Sequence, residues 1–488
     1  MRLTIKSLNK TKEIECKKGE NLLEVLHKNG IFITAYCGGK GICKKCTVRF
    51  ITNPPNPLKE EVEALKDRVD LGFRLACLHN VEQDAKIEIE ESKPVFAEIE
   101  EKPCCDTDKP YIALDIGTTT IALAYIEQKQ LDNVMNILNP QIPFGADVIS
   151  RIAYSNNGGF EILCSILQKA IKEMTKPFKK TEEMVVCGNP TMLSFFLRIN
   201  PKKIGEYPYT PPFKGSLETA FDGKKVYIPP VISAFVGSDI TAALALLPEN
   251  EDFLFVDIGT NCEFMLKHKN EYFSSSVPAG PALEGANIDY GTIAKEGAIF
   301  KVELQDGLKI YTIGNKKPIG ITGSGLISII SLLRSYGIIS RDGRLVEPWE
   351  VEAPLTLINR IKKEGFLLSD GIYLTQNSIR NFQLVKASLN AGVELLLKKT
   401  RVKRPKKVFV GGGFSKTLTK EEIIGSGLLS FGDEFVMLGN SSIRGGMKLF
   451  CESERKRVEA ISERISYIEI AEEREFESLY FEKMDFDE

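Results

Sequence analysis

Four cysteines stand near the start of the chain as C-x5-C-x2-C and a lone fourth: Cys37, Cys43 and Cys46 in YCGGKGICKKC, then Cys77 in RLACL. Thiolates so spaced suit the four-cysteine ligation of a 2Fe-2S cluster, which moves single electrons. Gly38, Gly39 and Gly41 let the backbone wrap the sulfurs and turn N–H groups toward a negatively charged cluster. A structural zinc is the alternative. It usually takes two short C-x2-C pairs, whereas here three thiolates share one glycine-rich loop.

A second chemistry follows at YIALDIGTTTIALAYIE, from Tyr111. An apolar strand ends in Asp115-Ile116-Gly117-Thr118-Thr119-Thr120 and turns directly into another strand. Gly117 permits close approach of a phosphate, the hydroxyls of Thr118, Thr119 and Thr120 and nearby N–H groups suit its oxygens, and Asp115 suits a magnesium ion or its water. The device recurs in FLFVDIGTNCEFMLKHK as Asp257, Gly259, Thr260 and Asn261. Two such turns, each opening a hairpin, imply a duplicated domain whose halves face one phosphate chain. Further glycines stand after strands: VVCGNPTMLSFF reads as strand, turn and helix, Gly323-Ser324-Gly325 opens an amphipathic helix, and Gly411-Gly412-Gly413 follows VFV. Glycines at such junctions let an adenosine lie against the backbone.

These residues need scaffolds. At 488 residues the chain accommodates about three domains. The N-terminal strands MRLTIKSL and KEIECKKG are expected to meet at a Lys10-Thr11 turn, with a helix over NLLEVLHKNG, a helical KEEVEALKDRV, and strands at VRFI and KIEIEE. The organisation expected is a cluster domain over 1–95, a linker over 96–110, nucleotide-binding halves over 111–250 and 251–450, and a C-terminal helix and acidic tail over 451–488. That last run reads as a solvated amphipathic helix and a short docking tail. A net charge of -2 gives no global argument for nucleic acid. No stretch has the length of a membrane span or the core of a signal peptide, so a cytoplasmic chain with reduced thiols is expected, with Cys104 and Cys105 exposed in the linker.

Residues 1–95 resemble the 2Fe-2S ferredoxins with a β-grasp fold, the five-residue first gap being of the adrenodoxin type. Residues 111–450 resemble the acetate and sugar kinase, heat-shock chaperone and actin superfamily. That resemblance implies two ribonuclease-H-like halves around an ATP cleft, an α/β and α+β multidomain chain. It makes Asp115–Thr120 and Asp257–Asn261 the phosphate loops, Cys187–Thr191 a connecting segment, and Gly323–Gly325 with Gly411–Gly413 the adenosine contacts. NPQIPFGADVISRI, FVGSDITAALAL, VPAGPALEGANI and LGNSSIRGG, together with the N-terminal domain, are similar to the reductive activators of corrinoid proteins. Cys262, Thr322 and Phe414-Ser415 depart from that family's pattern.

The resemblance implies an ATP-hydrolysing enzyme that passes one electron from the 2Fe-2S cluster to the cobalt(II) of an inactivated corrinoid protein, restoring cobalt(I) for methyl transfer. Asp115 and Asp257 would organise Mg and the attacking water. Expected partners are a corrinoid protein of a methyltransferase system and an upstream low-potential electron donor, with no nucleic acid and no membrane; a homodimer stays open. The alternatives are a small-molecule kinase with an appended ferredoxin, a nucleotide-switched module without turnover, and an electron donor to another low-potential metalloenzyme. Asp147, Asp239 and Glu284 lie in the family-like segments and suit either the cleft or helix caps and surface.

Overall fold

The structure, a computed structural model, describes residues 1–7, 10–29, 31, 33, 35, 39, 41, 44–89, 109–145, 147–285 and 287–486. Cys37, Cys43, Gly38, Cys104 and Cys105 fall outside them. The chain divides into two compact units, Met1–Lys93 with Leu138–Ala170, and Pro94–Ile137 with Ile171–Glu488.

The first unit is built on β1 (Arg2–Ser7), β2 (Lys10–Glu15), β3 (Thr47–Phe50), β4 (Phe73–Leu75) and β5 (Ala85–Glu88), in the sheet order β2-β1-β5-β3-β4. Strand β1 alternates, burying Leu3 and Ile5 and exposing Arg2 and Lys6. It pairs antiparallel with β2 and parallel with β5. Ser7 pairs with Lys10, so Lys10 and Thr11 already belong to β2 and the expected turn there is corrected. Helix α1 (Leu22–Lys28) begins where Asn21 Oδ1 caps the Leu23 N–H, and it buries Leu22, Leu23, Val25 and Leu26. Helix α2 (Lys59–Leu65) sends the fully buried Glu61 beneath β4. Helix α3 (Val148–Tyr154) starts at a capping box on Asp147, which settles that residue as a helix cap. Helix α4 (Phe160–Thr175) follows. His27 of α1 lies 6.0 Å, ring to ring, from Phe144, and burial pushes its imidazole down to about 4.

The second unit repeats one plan. Strands β6 (Tyr111–Ile116), β7 (Thr120–Glu127), β8 (Gln130–Leu138), β9 (Glu183–Gly188), β10 (Gly215–Phe221) and β11 (Lys224–Val231) form a sheet ordered β10-β11-β9-β6-β7-β8. In it β6 pairs antiparallel with β7 and parallel with β9. Strands β12 (Phe253–Ile258), β13 (Asn261–His268) and β14 (Glu271–Pro278) begin the second sheet in the same way, and β12 again has a parallel neighbour on its other side. The YIALDI and FLFVDI strands are buried on both faces, which is why each reads as a nearly unbroken apolar run. Helix α5 (Pro190–Leu197) carries its proline at the first position and is capped by Asn189; α6 (Ser238–Ala243) follows.

The remaining elements elaborate the second half. Strands β15 (Ala298–Leu304), β16 (Leu308–Thr312) and β17 (Gly320–Ile321) form one small sheet, and β18 (Ile361–Lys362), β19 (Gly365–Ser369) and β20 (Ile372–Leu374) another. Helices α7 (Gly323–Ser335), α8 (Leu355–Ile358), α9 (Gln376–Thr400) and α10 (Lys420–Gly425) surround them. Strand β21 (Lys407–Gly411) is the parallel neighbour of β12, and β22 (Glu434–Gly439) extends the sheet. Helix α11 (Ser441–Lys448) then crosses back, and its Ile443 and Met447 join the cluster formed by Tyr111 and Ala113 of β6.

The C-terminal run differs from the expected solvated helix and tail. Helix α12 (Glu452–Ser462) buries Val458 and Ile461, β23 (Ile465–Tyr467) adds to the sheet parallel to β14, and α13 (Arg474–Glu482) is tied to α9 by Lys399 and Glu473 at 2.6 Å. Phe486 is buried under the cations of Arg334 and Lys386. Aromatic residues interspersed among the acids supply apolar area that the charge pattern concealed. No described helix is long and apolar enough to cross a membrane.

Candidate functional site

Each DIGT turn sits at the end of a central strand. Gly117 N–H donates to Thr120 O and Gly259 N–H to Asn261 O, both at 2.9 Å, so each turn closes on itself and leaves its hydroxyls outside. The second turn is one residue tighter: Ile116 pairs with Ile121, but Ile258 with Cys262. Cys262 is consequently a buried strand residue.

Both aspartates are held from the start of α11. Asn440 Nδ2 donates to Asp115 Oδ2 at 3.2 Å and Ser442 Oγ to Asp115 Oδ1 at 2.8 Å, while Ser441 Oγ donates to Asp257 Oδ2 at 3.2 Å. One short polar stretch thus positions the carboxyls of both halves. Gly411 lies beneath this meeting point, where an added Cβ would come within 2.8 Å of Ser441 Oγ and 3.0 Å of Asp257 Cγ. Asn189 Nδ2 donates to Thr118 Oγ1 at 3.0 Å, tying the connecting segment to the first turn. Glu284 Oε2 accepts from Thr119 Oγ1 at 2.5 Å and from Thr260 Oγ1 at 2.9 Å, one hydroxyl from each turn.

These groups line one cavity of about 620 Å³. Of the residues singled out from sequence, Asp115, Gly117, Thr118, Thr119, Thr120, Asp257, Gly259, Thr260, Asn261, Gly323, Ser324, Gly412 and Gly413 lie along its wall. Gly325, packed against Ile299 O, and Gly411, packed against Asp257, are not among the lining residues, which departs from the adenosine contact expected of them. Thr322 caps α7, its Oγ1 accepting from Gly325 N–H at 3.1 Å. Asp239, Glu263, Glu284, Asn440, Ser441 and Ser442 also line the cavity. Sequence reasoning left Asp239 and Glu284 without a role and did not single out Glu263 or the Asn440–Ser442 stretch. In the sequence LGNSSIRGG stands out only as a family-like string; a polar triplet before a helix is the available signal.

The cavity has two characters. At the turns, burial raises Asp115 to about 6, Asp257 to about 7 and Asp239 to about 8, with neighbouring carboxylates adding to the last two. Glu263 is pushed well above the ordinary range for the same reasons. No lysine, arginine or histidine lines the cavity among the described residues. Hard oxygen donors with no protein cation suit a divalent metal with a phosphate chain, so this end fits Mg and a nucleoside polyphosphate. The lining also includes Ile293, Ala294, Phe300, Ile313 and Phe414, apolar side chains that fit a base.

In the first unit, Cys46 and Cys77 are buried, and the segments bearing them are joined by Ala76 N–H donating to Cys46 O at 2.8 Å. Asn21 Nδ2 donates to Cys77 O at 2.9 Å. Gly39 has φ +85°, and a Cβ there would lie 3.9 Å from Cys77 Cβ, so Gly39 sits close to the fourth cysteine. Two buried soft thiols, Cys46 and Cys77, on hydrogen-bonded segments fit ligands of an iron-sulfur cluster. Glu61 Oε1 accepts from Leu75 N–H at 2.6 Å and its Oε2 lies 2.8 Å from His79 Nε2, bracketing the 3-10 turn Ala76–Leu78 that carries Cys77.

Three family models match the chain: the 2Fe-2S iron-sulfur cluster binding domain over residues 5–82, the RACo middle region over 111–248, and the C-terminal domain of RACo, the ASKHA domain, over 251–488. The corrinoid activation enzyme RamQ of Eubacterium limosum is 31% identical over 424 residues, covering 78% of this chain and 71% of that one. The reductase of the Co(II) methylated amine-specific corrinoid protein of Methanosarcina barkeri is 22% identical over 398 residues, 70% of each chain. Among solved structures, the reductive activator for corrinoid, iron-sulfur protein superposes with a TM-score of 0.68 at 25% identity, covering 99% of this chain and 98% of that one. This fold, cavity and domain order make the chain a member of the family of reductive activators of corrinoid proteins.

Proposed function

We propose that this chain is an ATP-dependent reductive activator, passing one electron to the cobalt(II) of an inactivated corrinoid protein and so regenerating cobalt(I) for methyl transfer. The observation that carries the reading is a cavity with two phosphate-type turns and paired aspartates in the same chain as a 2Fe-2S domain. When bound, the cluster supplies a one-electron donor, at about -400 mV for the plant-type ferredoxins. Every 59 mV of shortfall costs about 1.4 kcal/mol for one electron, so reduction of a lower-potential cobalt needs a second source of free energy. A nucleotide supplies it only by binding two states of the complex unequally.

The roles follow from this reading. Cys37, Cys43, Cys46 and Cys77 hold the cluster. Asp115 and Asp257 organise Mg and the attacking water, with Asn440, Ser441 and Ser442 fixing their orientation. Thr118, Thr119, Thr120, Gly117, Gly259, Thr260 and Asn261 grip phosphate oxygens, and Gly323, Ser324, Gly412 and Gly413 line the adenosine end, with Gly325 in the same helix start as Gly323 and Gly411 packed beneath Asp257. ATP is hydrolysed to reset the complex, a low-potential donor reloads the cluster, and the cytoplasm is the expected compartment.

The test is anaerobic visible spectroscopy of a cobalt(II) corrinoid protein mixed with the reduced chain, with and without Mg-ATP, beside a Cys77→Ser control. The expected outcome is a cobalt(I) band that needs both ATP and an intact cluster. A cobalt(I) yield independent of ATP, or none from a fully loaded protein with its cognate corrinoid partner, overturns the reading.

A further inference from the structure

Glu284 occupies a singular place among the cavity's carboxyls. Asp115 is held by Asn440 and Ser442, Asp257 by Ser441, and Asp239 accepts from Ile240 N–H at 2.9 Å. Glu284 instead takes one hydroxyl from each phosphate-type turn on a single oxygen, at 2.5 Å from Thr119 and 2.9 Å from Thr260. Its own backbone is fixed. Leu283 is pressed against α7 so closely that a Cβ on Gly323 would lie 1.9 Å from Leu283 O, and Gly285 follows at φ +82°.

A hydroxyl carries one proton to donate. While Thr119 and Thr260 donate to Glu284, neither can donate to a phosphate oxygen. A terminal phosphate seated between the turns must therefore take both hydroxyls over, and it leaves a carboxylate beside the phosphorus stripped of two donors. Loss of hydrogen bonds to the ionised form makes a carboxylate more basic.

We propose that Glu284 is a catalytic residue, the base for ATP hydrolysis, kept inactive in the empty cleft by the two threonines and released by the arriving phosphate. In the step, the oxygen of a water bonds to the γ-phosphorus as its proton passes to a Glu284 carboxylate oxygen. The bond from that phosphorus to the β,γ-bridging oxygen breaks, and its electron pair leaves on ADP. The proton then returns to the released phosphate. This inference rests on the hydrolysis reading above and names the group that reading leaves unassigned.

The experiment compares the full-length unaltered chain with Glu284→Gln and Glu284→Asp, measuring Mg-ATP hydrolysis across pH 5 to 9 and, by calorimetry, the affinity for the magnesium complex of the β,γ-imido analogue of ATP. Hydrolysis should fall about 10²- to 10⁴-fold in E284Q, with E284D intermediate, as expected for removal of a general base. Analogue affinity should hold or rise a few-fold, because a negative charge facing the phosphate has gone; retained binding also certifies the fold. Turnover by E284Q within threefold of the unaltered chain overturns the assignment alone. Loss of analogue binding in both variants overturns it too, making Glu284 a structural or binding group. Tight analogue binding with no turnover by the unaltered chain overturns the hydrolysis reading, and the assignment with it.

Discussion

Glu61 in the first unit and the aspartates of the cavity are all buried carboxyls, yet the protein surrounds them differently. Glu61 is met by Leu75 N–H, Leu58 N–H and the His79 ring, so its oxygens are satisfied by the protein itself. Asp239, Asp257 and Glu263 crowd one another, with few donors and no cation among the described lining residues, and burial with mutual repulsion raises all three. A buried acid whose partners are built in braces a strand. Acids gathered with few donors and no cation leave a repulsion that a ligand with its metal can relieve, at the expense of apo stability.

The contrast breaks first at the cavity. Asp115→Asn and Asp257→Asn should each lower ATP hydrolysis about 10²- to 10³-fold while raising the melting temperature of the nucleotide-free chain, measured by phosphate release and calorimetry. If either variant hydrolyses normally, these carboxyls are not the chemical end of the cavity.

Glu61 should behave in the opposite sense. Glu61→Ala strands His79 and two N–H groups, and should cost the first unit about 3–5 kcal/mol in urea unfolding followed through the cluster's visible absorption. A neutral effect would erase the distinction between braced and unbraced acids.

The pH dependence sharpens the comparison by sign. His27 has its folded value lowered to about 4, so its contribution is present above the unfolded value of 6.5 and is lost as pH falls, about 2 kcal/mol by pH 5. His27→Leu should flatten that slope in urea titrations of the first unit. Asp115, Asp257 and Asp239 are raised to about 6, 7 and 8, so the stability they contribute is full below their unfolded values near 4 and disappears as pH rises through the folded values. Without Mg the second unit should therefore melt at a higher temperature at pH 5 than at pH 8, and added Mg with nucleotide should narrow the gap. The smallest effect expected is from Ser442→Ala, which removes one donor from Asp115 and should weaken Mg-nucleotide binding about threefold by calorimetry.

Much of the arrangement was legible because it is local. A carboxylate, a glycine and threonines in consecutive positions make a turn wherever they stand, and Asp115 and Asp257 sit at strand ends as their contexts suggest. Asn189-Pro190 and Thr322 open helices for equally local reasons. The C-terminal run departs from its expected form because its period suits a solvated helix, while its packing depends on the room left beside β14 and α9 for Ile465–Tyr467 and Phe486. Glu284 and Ser442 carry no local mark of their own: each is an ordinary polar residue until a distant strand end comes within hydrogen-bond reach.

The amino-acid sequence by itself determined the cysteine spacing, the two DIGT hairpins, the duplication and the order of domains, since these depend on covalent spacing and on hydrophobic period. Only the tertiary structure decided that Asn440 and Ser442 hold Asp115, that Ser441 holds Asp257, and that Thr119 and Thr260 converge on Glu284. Hydrogen bonds between residues as far apart as 115 and 442 reach only about 3 Å, so they exist only once the packing of whole sheets and helices has brought those groups together.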